Sequence, residues 1–142
     1  MDILAHGLWT NIMYKSLPAT RNDRKTVLWG ILFGILPDLI SFTPIFVVYF
    51  FGLILGRASV RFGPPDSTTA LYSYALNSYN YTHSLVIWTA GLLLAWLILR
   101  RFPWVSLGWL LHILIDLFTH PDYFRTPFLF PLSNFHNPYA IS

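Results

Sequence analysis

From Trp109 to Pro121 the chain reads Trp-Leu-Leu-His-Ile-Leu-Ile-Asp-Leu-Phe-Thr-His-Pro, an apolar run with His112 and Asp116 set inside it. Its length and composition predict an α-helix. Four residues make about one helical turn, so both polar side chains project from the same face. No Lys or Arg occurs between Arg101 and Arg125, so Asp116 has no cation nearby in sequence. An ionised carboxylate in apolar surroundings must find a partner or take up a proton. Whatever fold this chain adopts has to bring Asp116 a partner from elsewhere.

Composition indicates the solvent. Apolar residues make up 55% of the 142 residues and charged residues 11%, less than half the ~25% typical of soluble domains. Lipid is therefore expected to cover part of the surface. The six Trp and eight Tyr suit the bilayer interface. With no Cys, disulfides are excluded, and any metal must be held by nitrogen and oxygen, which fits zinc or another first-row divalent ion. There is no Glu, and Asp2, Asp38 and Asp116 lie in or beside apolar segments. The net charge of +3 comes from clustered bases that read as membrane flanks, so no nucleic-acid partner is expected. The N-terminus lacks the pattern of a cleaved signal peptide.

Periodicity and breakers predict an all-α, compact, membrane-embedded bundle of about five main helices forming one domain over 1–142. The expected helices cover 2–17, 26–36, 44–55, 82–99 and 104–119, with Pro37-Asp38 and Pro44 separating the second from the third. Gly63-Pro64-Pro65 reads as a turn, and Asp66 to Thr69 as the cap of a short helix through Leu76. The Tyr- and Asn-rich stretch Tyr72 to Tyr81 reads as interfacial, and the Pro-rich tail from Pro121 as irregular. If the first three helices alternate in direction, Lys15, Arg21, Arg24, Lys25, Arg57 and Arg61 gather at one end, and if 57–81 returns to the other end, Arg100 and Arg101 join them. His6, Asp38, His83 and Asp116 then fall near the opposite end, close to the far interface, with the basic end cytoplasmic. Arg125 breaks that sorting.

The polar residues set in helices or at their ends form the series His6, Asp38, His83, His112, Asp116 and His120. Imidazole and carboxylate are ligands for zinc and its neighbours, and three to six of them could hold one ion, or two sharing a carboxylate. Each residue also has a plainer explanation. A lone His6 is more often a hydrogen-bonding core residue; Asp38 after Pro37 is common turn chemistry. His83 fits the start of a helix capped by Thr82. His112 with Asp116 could be a structural pair, and His120 before Pro121 ordinary loop. Asp2 reads as a helix-terminus charge, and Asp122 and His136 as tail residues. Their joint presence in so apolar a chain favours a metal, because polar groups in membrane segments are costly. Gly30-x-x-x-Gly34 is a small-residue helix-packing pattern.

Taken in order, Met1-Asp2-x-x-x-His6, Gly34-Ile-Leu-Pro37-Asp38, Thr82-His83-Ser84, His112-x-x-x-Asp116-x-x-Thr119 and Pro131-Leu132-Ser133 resemble the bacterial membrane-bound metal-dependent hydrolases. That family is in turn similar to zinc-dependent phospholipase C and related single-strand nucleases, helical proteins whose His and Asp ligands surround a metal cluster. The resemblance implies His6, Asp38, His83, His112 and Asp116 as ligands, with His120 an optional sixth. It also implies an integral protein of the bacterial inner membrane that hydrolyses a phosphoester or lipid-like substrate with zinc or a similar ion. Asp38 or Asp116, if not both ligands, would serve as proton acceptor. Tyr79-Asn80-Tyr81 stands where the family carries a basic lead-in. The competing expectation is a metal or ion transporter whose polar residues line a path through the bundle.

Overall fold

The computed structural model describes residues 3–56, 69–120 and 125–137. Met1, Asp2, Arg57, Arg61, Gly63-Pro64-Pro65, Asp66 to Thr68, Pro121 and Asp122, all used in the sequence reading, lie outside them. The described residues are all-helical: α1 (Ile3–Ser16), α2 (Arg24–Ile54), α3 (Ala70–Thr82), α4 (Leu85–Leu99) and α5 (Ser106–Thr119).

Asp23 starts α2. Its Oδ1 accepts from the Lys25 and Thr26 amides, and its Oδ2 from the Thr26 hydroxyl at 2.6 Å. This satisfies donors that have no partner within the helix. The expected break at Pro37 and Pro44 does not occur, and α2 runs through both. A proline inside a helix removes one donor and frees the carbonyl four residues earlier. At Pro44 the freed carbonyl belongs to Ile40, and the Tyr74 hydroxyl donates to it at 3.2 Å. Pro37 is buried in α2, which packs on both α1 and α5.

α1, α2 and α5 meet in layers one helical turn apart. In the first, a Cβ on Gly30 would lie 2.2 Å from the Tyr14 ring, and one on Gly108 would lie 2.1 Å from the Gly30 carbonyl oxygen. Only glycine permits that approach. In the second layer Gly34 faces Thr10, and its carbonyl accepts from His112 Nδ1 at 2.7 Å. In the third, His6, Asp38 and Asp116 converge. Positions in α1 fall as those in α2 rise, so α1 is antiparallel to α2; α5 is parallel to it. The Tyr14 hydroxyl accepts from the Gly108 amide at 2.9 Å and faces the Trp104 and Val105 carbonyls at 2.7 and 2.9 Å. This contact brings the α4–α5 turn, with Arg100 and Arg101, to the end that carries Lys15, Arg21, Arg24 and Lys25.

The Tyr- and Asn-rich stretch is helical, as α3, capped by Thr69, whose hydroxyl accepts from the Tyr72 amide at 3.2 Å. The cap of α4 is Ser84 rather than Thr82. Its hydroxyl accepts from the Val86 and Ile87 amides and donates to the Phe130 carbonyl. Thr82 instead ends α3, and α4 leaves it at a 57° bend. The described part of the tail is irregular, as its prolines predict, and is tied to α4 by the Leu85 amide donating to the Phe128 carbonyl at 2.9 Å. α4 is apolar on all sides, yet none of its residues is buried. α2 is long and apolar enough to cross a membrane, with only 22% of its most apolar stretch buried. The bent pair α3–α4 meets the same test if it counts as one span.

Candidate metal centre

Five pieces of the chain deliver the six polar residues to one place. His6 comes from α1, Asp38 from the middle of α2, His83 from the α3–α4 junction, His112 and Asp116 from α5, and His120 from the cap of α5. One ligand atom each from Asp38, His83, His112 and Asp116 lies within 4.8 Å of the others. His6 and His120 join through Asp116 Oδ1, at 3.0 and 3.1 Å. The side chains of His6, His83, His112 and Asp116 are fully buried; that of Asp38 is 8% exposed and that of His120 25%. The cluster therefore comes nearest the surface at His120 and, to a lesser degree, at Asp38.

The ring tautomers follow from the outer contacts. His112 Nδ1 faces only the Gly34 carbonyl, and a carbonyl can only accept, so Nδ1 carries the proton. His83 Nδ1 faces the Tyr79 carbonyl at 3.1 Å and the Thr82 hydroxyl at 3.0 Å. Thr82 has its own acceptor in the Ser78 carbonyl, so His83 Nδ1 is again the donor. In the neutral rings both Nε2 atoms then present lone pairs, and these face each other at 2.9 Å. Two lone pairs so close in a buried site repel, so either a cation lies between them or one ring takes up a proton and donates to the other. Neither oxygen of Asp116 has a hydrogen-bond partner among the described residues, although four imidazole nitrogens stand 3.0–3.3 Å away. Metal ligation requires donor atoms gathered close together, as those of Asp38, His83, His112 and Asp116 are, and second partners such as the Gly34 and Tyr79 carbonyls fix ligand orientation. The donor set of imidazoles and carboxylates suits zinc or a similar divalent ion.

Several supporting residues are not read from the sequence as parts of the site. Tyr79 is buried and stacks on His83, with ring centroids 3.6 Å apart, and its hydroxyl meets that of Thr126 at 3.1 Å. The Ser41 hydroxyl lies 3.1 Å from that of Thr82, extending the chain of polar contacts behind His83. The one sequence hint is that Tyr79 precedes His83 by a helical turn. His136 is not within the cluster.

One expectation about depth changes. The cluster lies far from the basic end along α1, α4 and α5, but not near the end of α2. Asp38 follows Arg24 by 14 residues and precedes Ile54 by 16, roughly 21 and 24 Å along a helix rising 1.5 Å per residue. The earlier placement assumed that the chain turns back at Pro37, and it does not. Comparison with protein-family models, with curated proteins and with solved structures gave no match to this chain.

Proposed function

We propose that this protein is a membrane-embedded metal-dependent hydrolase that acts on a phosphoester or lipid-like substrate through a divalent ion, zinc being the best fit to its donors. The observation carrying this reading is the group of buried donors Asp38, His83, His112 and Asp116, one ligand atom of each lying within 4.8 Å of the others. Membrane embedding is supported by the large apolar residues exposed along α4 and the distal half of α2, among them Leu94, Leu97, Ile98, Phe50 and Ile54. Such extensive apolar surface is unfavourable in water. An inner-membrane location follows from the resemblance to the bacterial hydrolases.

When bound, the ion supplies Lewis acidity for hydrolysis near neutral pH. The two carboxylates then divide the remaining work. Asp116, ringed by four imidazoles, holds the site together. Asp38 sits 3.6–3.9 Å from its imidazole neighbours and is the more exposed, so it is placed to take a proton from an attacking water. Because the bundle surface is apolar, the substrate is an amphiphile that reaches the cluster beside His120 from the bilayer.

A transporter would need ionisable groups strung along the bundle. Among the described residues the buried ones gather at one level, which favours hydrolysis. Metal analysis of purified protein should find stoichiometric metal in wild type and none in the His112→Ala/Asp116→Ala double variant. The loaded protein should cleave phosphoesters, and the chelator-stripped protein should not. Metal-free wild type, or metal retained by the double variant, would sink the proposal. Ion flux in proteoliposomes without turnover would favour transport.

A further inference from the structure

A divalent ion in this cluster has little charge to spare for an anionic substrate. Its two charges are matched by the carboxylates of Asp38 and Asp116, and ligand imidazoles are neutral. A phosphoester brings its own negative charge, which beside an apolar surface calls for a further cation. Almost all the bases among the described residues are remote. Lys15, Arg21, Arg24, Lys25, Arg100 and Arg101 gather at the other end of the bundle. Lys15 follows His6 by nine residues, roughly 14 Å along a helix rising 1.5 Å per residue. Arg125 is the exception, as it was to the sorting of charges along the sequence.

Arg125 is exposed, and the chain directly after it is pinned beside the cluster. Thr126 is buried, and its hydroxyl meets that of Tyr79 at 3.1 Å. The Tyr79 ring stacks on His83, with centroids 3.6 Å apart, and stands edge-on to the His120 ring at 6.5 Å. Both of these histidines approach Asp116, at 3.2 and 3.1 Å. Pro127 is buried as well, the Phe128 carbonyl accepts from the Leu85 amide at 2.9 Å, and the Phe130 carbonyl accepts from the Ser84 hydroxyl. The tail is thus fastened to the two residues that follow His83. The Arg125 Cα lies one step, about 3.8 Å, from that of Thr126, so its backbone is held on the side where His120 brings the cluster nearest the surface.

We propose that Arg125, held beside the metal centre by the Thr126–Tyr79 contact, binds the phosphate group of the substrate. The proposal rests on the hydrolase reading above and narrows its substrate to an anionic phosphoester, since a neutral ester lipid offers the guanidinium nothing to pair with. A guanidinium keeps its charge at an interface and presents parallel N–H donors that match two phosphate oxygens, whereas a lysine supplies only a point charge. Because Thr126 and Pro127 already fix the backbone, little freedom is lost when the phosphate docks.

The test uses the zinc-loaded full chain in detergent and the variants Arg125→Gln and Arg125→Lys. Kinetics are measured on phosphatidylglycerol in mixed micelles and on bis(p-nitrophenyl) phosphate, a water-soluble phosphodiester; binding of inorganic phosphate is measured by calorimetry. Loss of hydrogen bonds to a charged group corresponds to about 10–100-fold in affinity. Arg125→Gln should therefore raise KM for both substrates, and Kd for inorganic phosphate, by about that factor. Its kcat, zinc content and thermal transition should stay those of wild type, because uniform binding is what has been removed. Arg125→Lys should fall between the two, keeping the charge but not the paired donors. Wild-type KM and phosphate affinity in Arg125→Gln overturn the role of Arg125 while leaving the hydrolase reading intact. So does loss of zinc, or a fall in kcat alone. A rise in KM confined to the micellar lipid would make Arg125 an interfacial anchor and also overturns the proposal. If zinc-loaded wild type cleaves neither substrate, the hydrolase reading fails, and the phosphate titration alone decides whether Arg125 binds the anion.

Discussion

Gly108→Ala tests whether close backbone packing sets the metal centre. The added Cβ would lie 2.1 Å from the Gly30 carbonyl oxygen, about 1.3 Å short of the 3.4 Å at which ordinary contact begins. That oxygen belongs to the backbone of α2 and cannot rotate aside, so α5 must move by roughly an ångström. Overpacking of this kind costs about 1–3 kcal/mol, enough to lower the unfolding midpoint by several degrees. The same shift propagates along a stiff helix to His112, one turn on, and Asp116, two turns on. Metal ligands tolerate only about 0.2 Å, so the variant should lose metal although no ligand has changed. Gly91→Ala is the control: a Cβ there meets nothing within 4 Å, and alanine is the better helix former. Thermal unfolding followed by Trp fluorescence, with metal analysis of the same samples, reads both effects. If Gly108→Ala keeps wild-type stability and full metal, the glycine contact does not set the register of the ligands.

Further tests address other parts of the structure. Tyr14→Phe removes the hydroxyl shared by the Gly108 amide and the Trp104 and Val105 carbonyls; a loss of about 1–3 kcal/mol in stability is expected, with metal content little changed. Leu94→Arg places a charge on the face of α4, where Leu94 is 60% exposed. In a bilayer this costs about 2.5–3.5 kcal/mol and should reduce the amount recovered in membranes, whereas a water-facing site would leave expression unaffected or improved. At the start of α2, the Thr26 side-chain hydrogen bond, followed by that of the Thr26 amide, holds the Asp23 carboxyl below its ordinary range. Its folded pKa is therefore depressed, so the cap's contribution is present above the ordinary carboxylate pKa of about 3.9 and is lost as pH falls through the lower folded value. Asp23→Ala should remove that acid-side component from a pH series of unfolding midpoints.

The sequence alone determined what could be read within a turn or two of chain. Helices followed from apolar runs, and the shared face of His112 and Asp116 from their spacing. The six polar residues stood out because each is costly in so apolar a chain, and the structure brings all six together. The glycine pattern at Gly30 and Gly34 was legible as packing, but not which helix would fill it. Tyr79 and Ser41 were not legible as site residues, since their roles depend on a histidine and a threonine supplied by the fold.

Tertiary structure decided whether α2 breaks, how the helices register, and which carboxylate oxygen faces which imidazole. Local sequence rules count the hydrogen bond a proline loses, but not the contacts from α1 and α5 around Pro37 or the Tyr74 hydroxyl that answers the carbonyl freed by Pro44. Register likewise comes from contacts between residues far apart in the chain, Tyr14 with Gly30 and Gly108 with Gly30. Spacing along one helix places His112 and Asp116 on a common face. Only the tertiary approach of α1 and the α3–α4 junction to α5 gives Asp116 its partners His6 and His83.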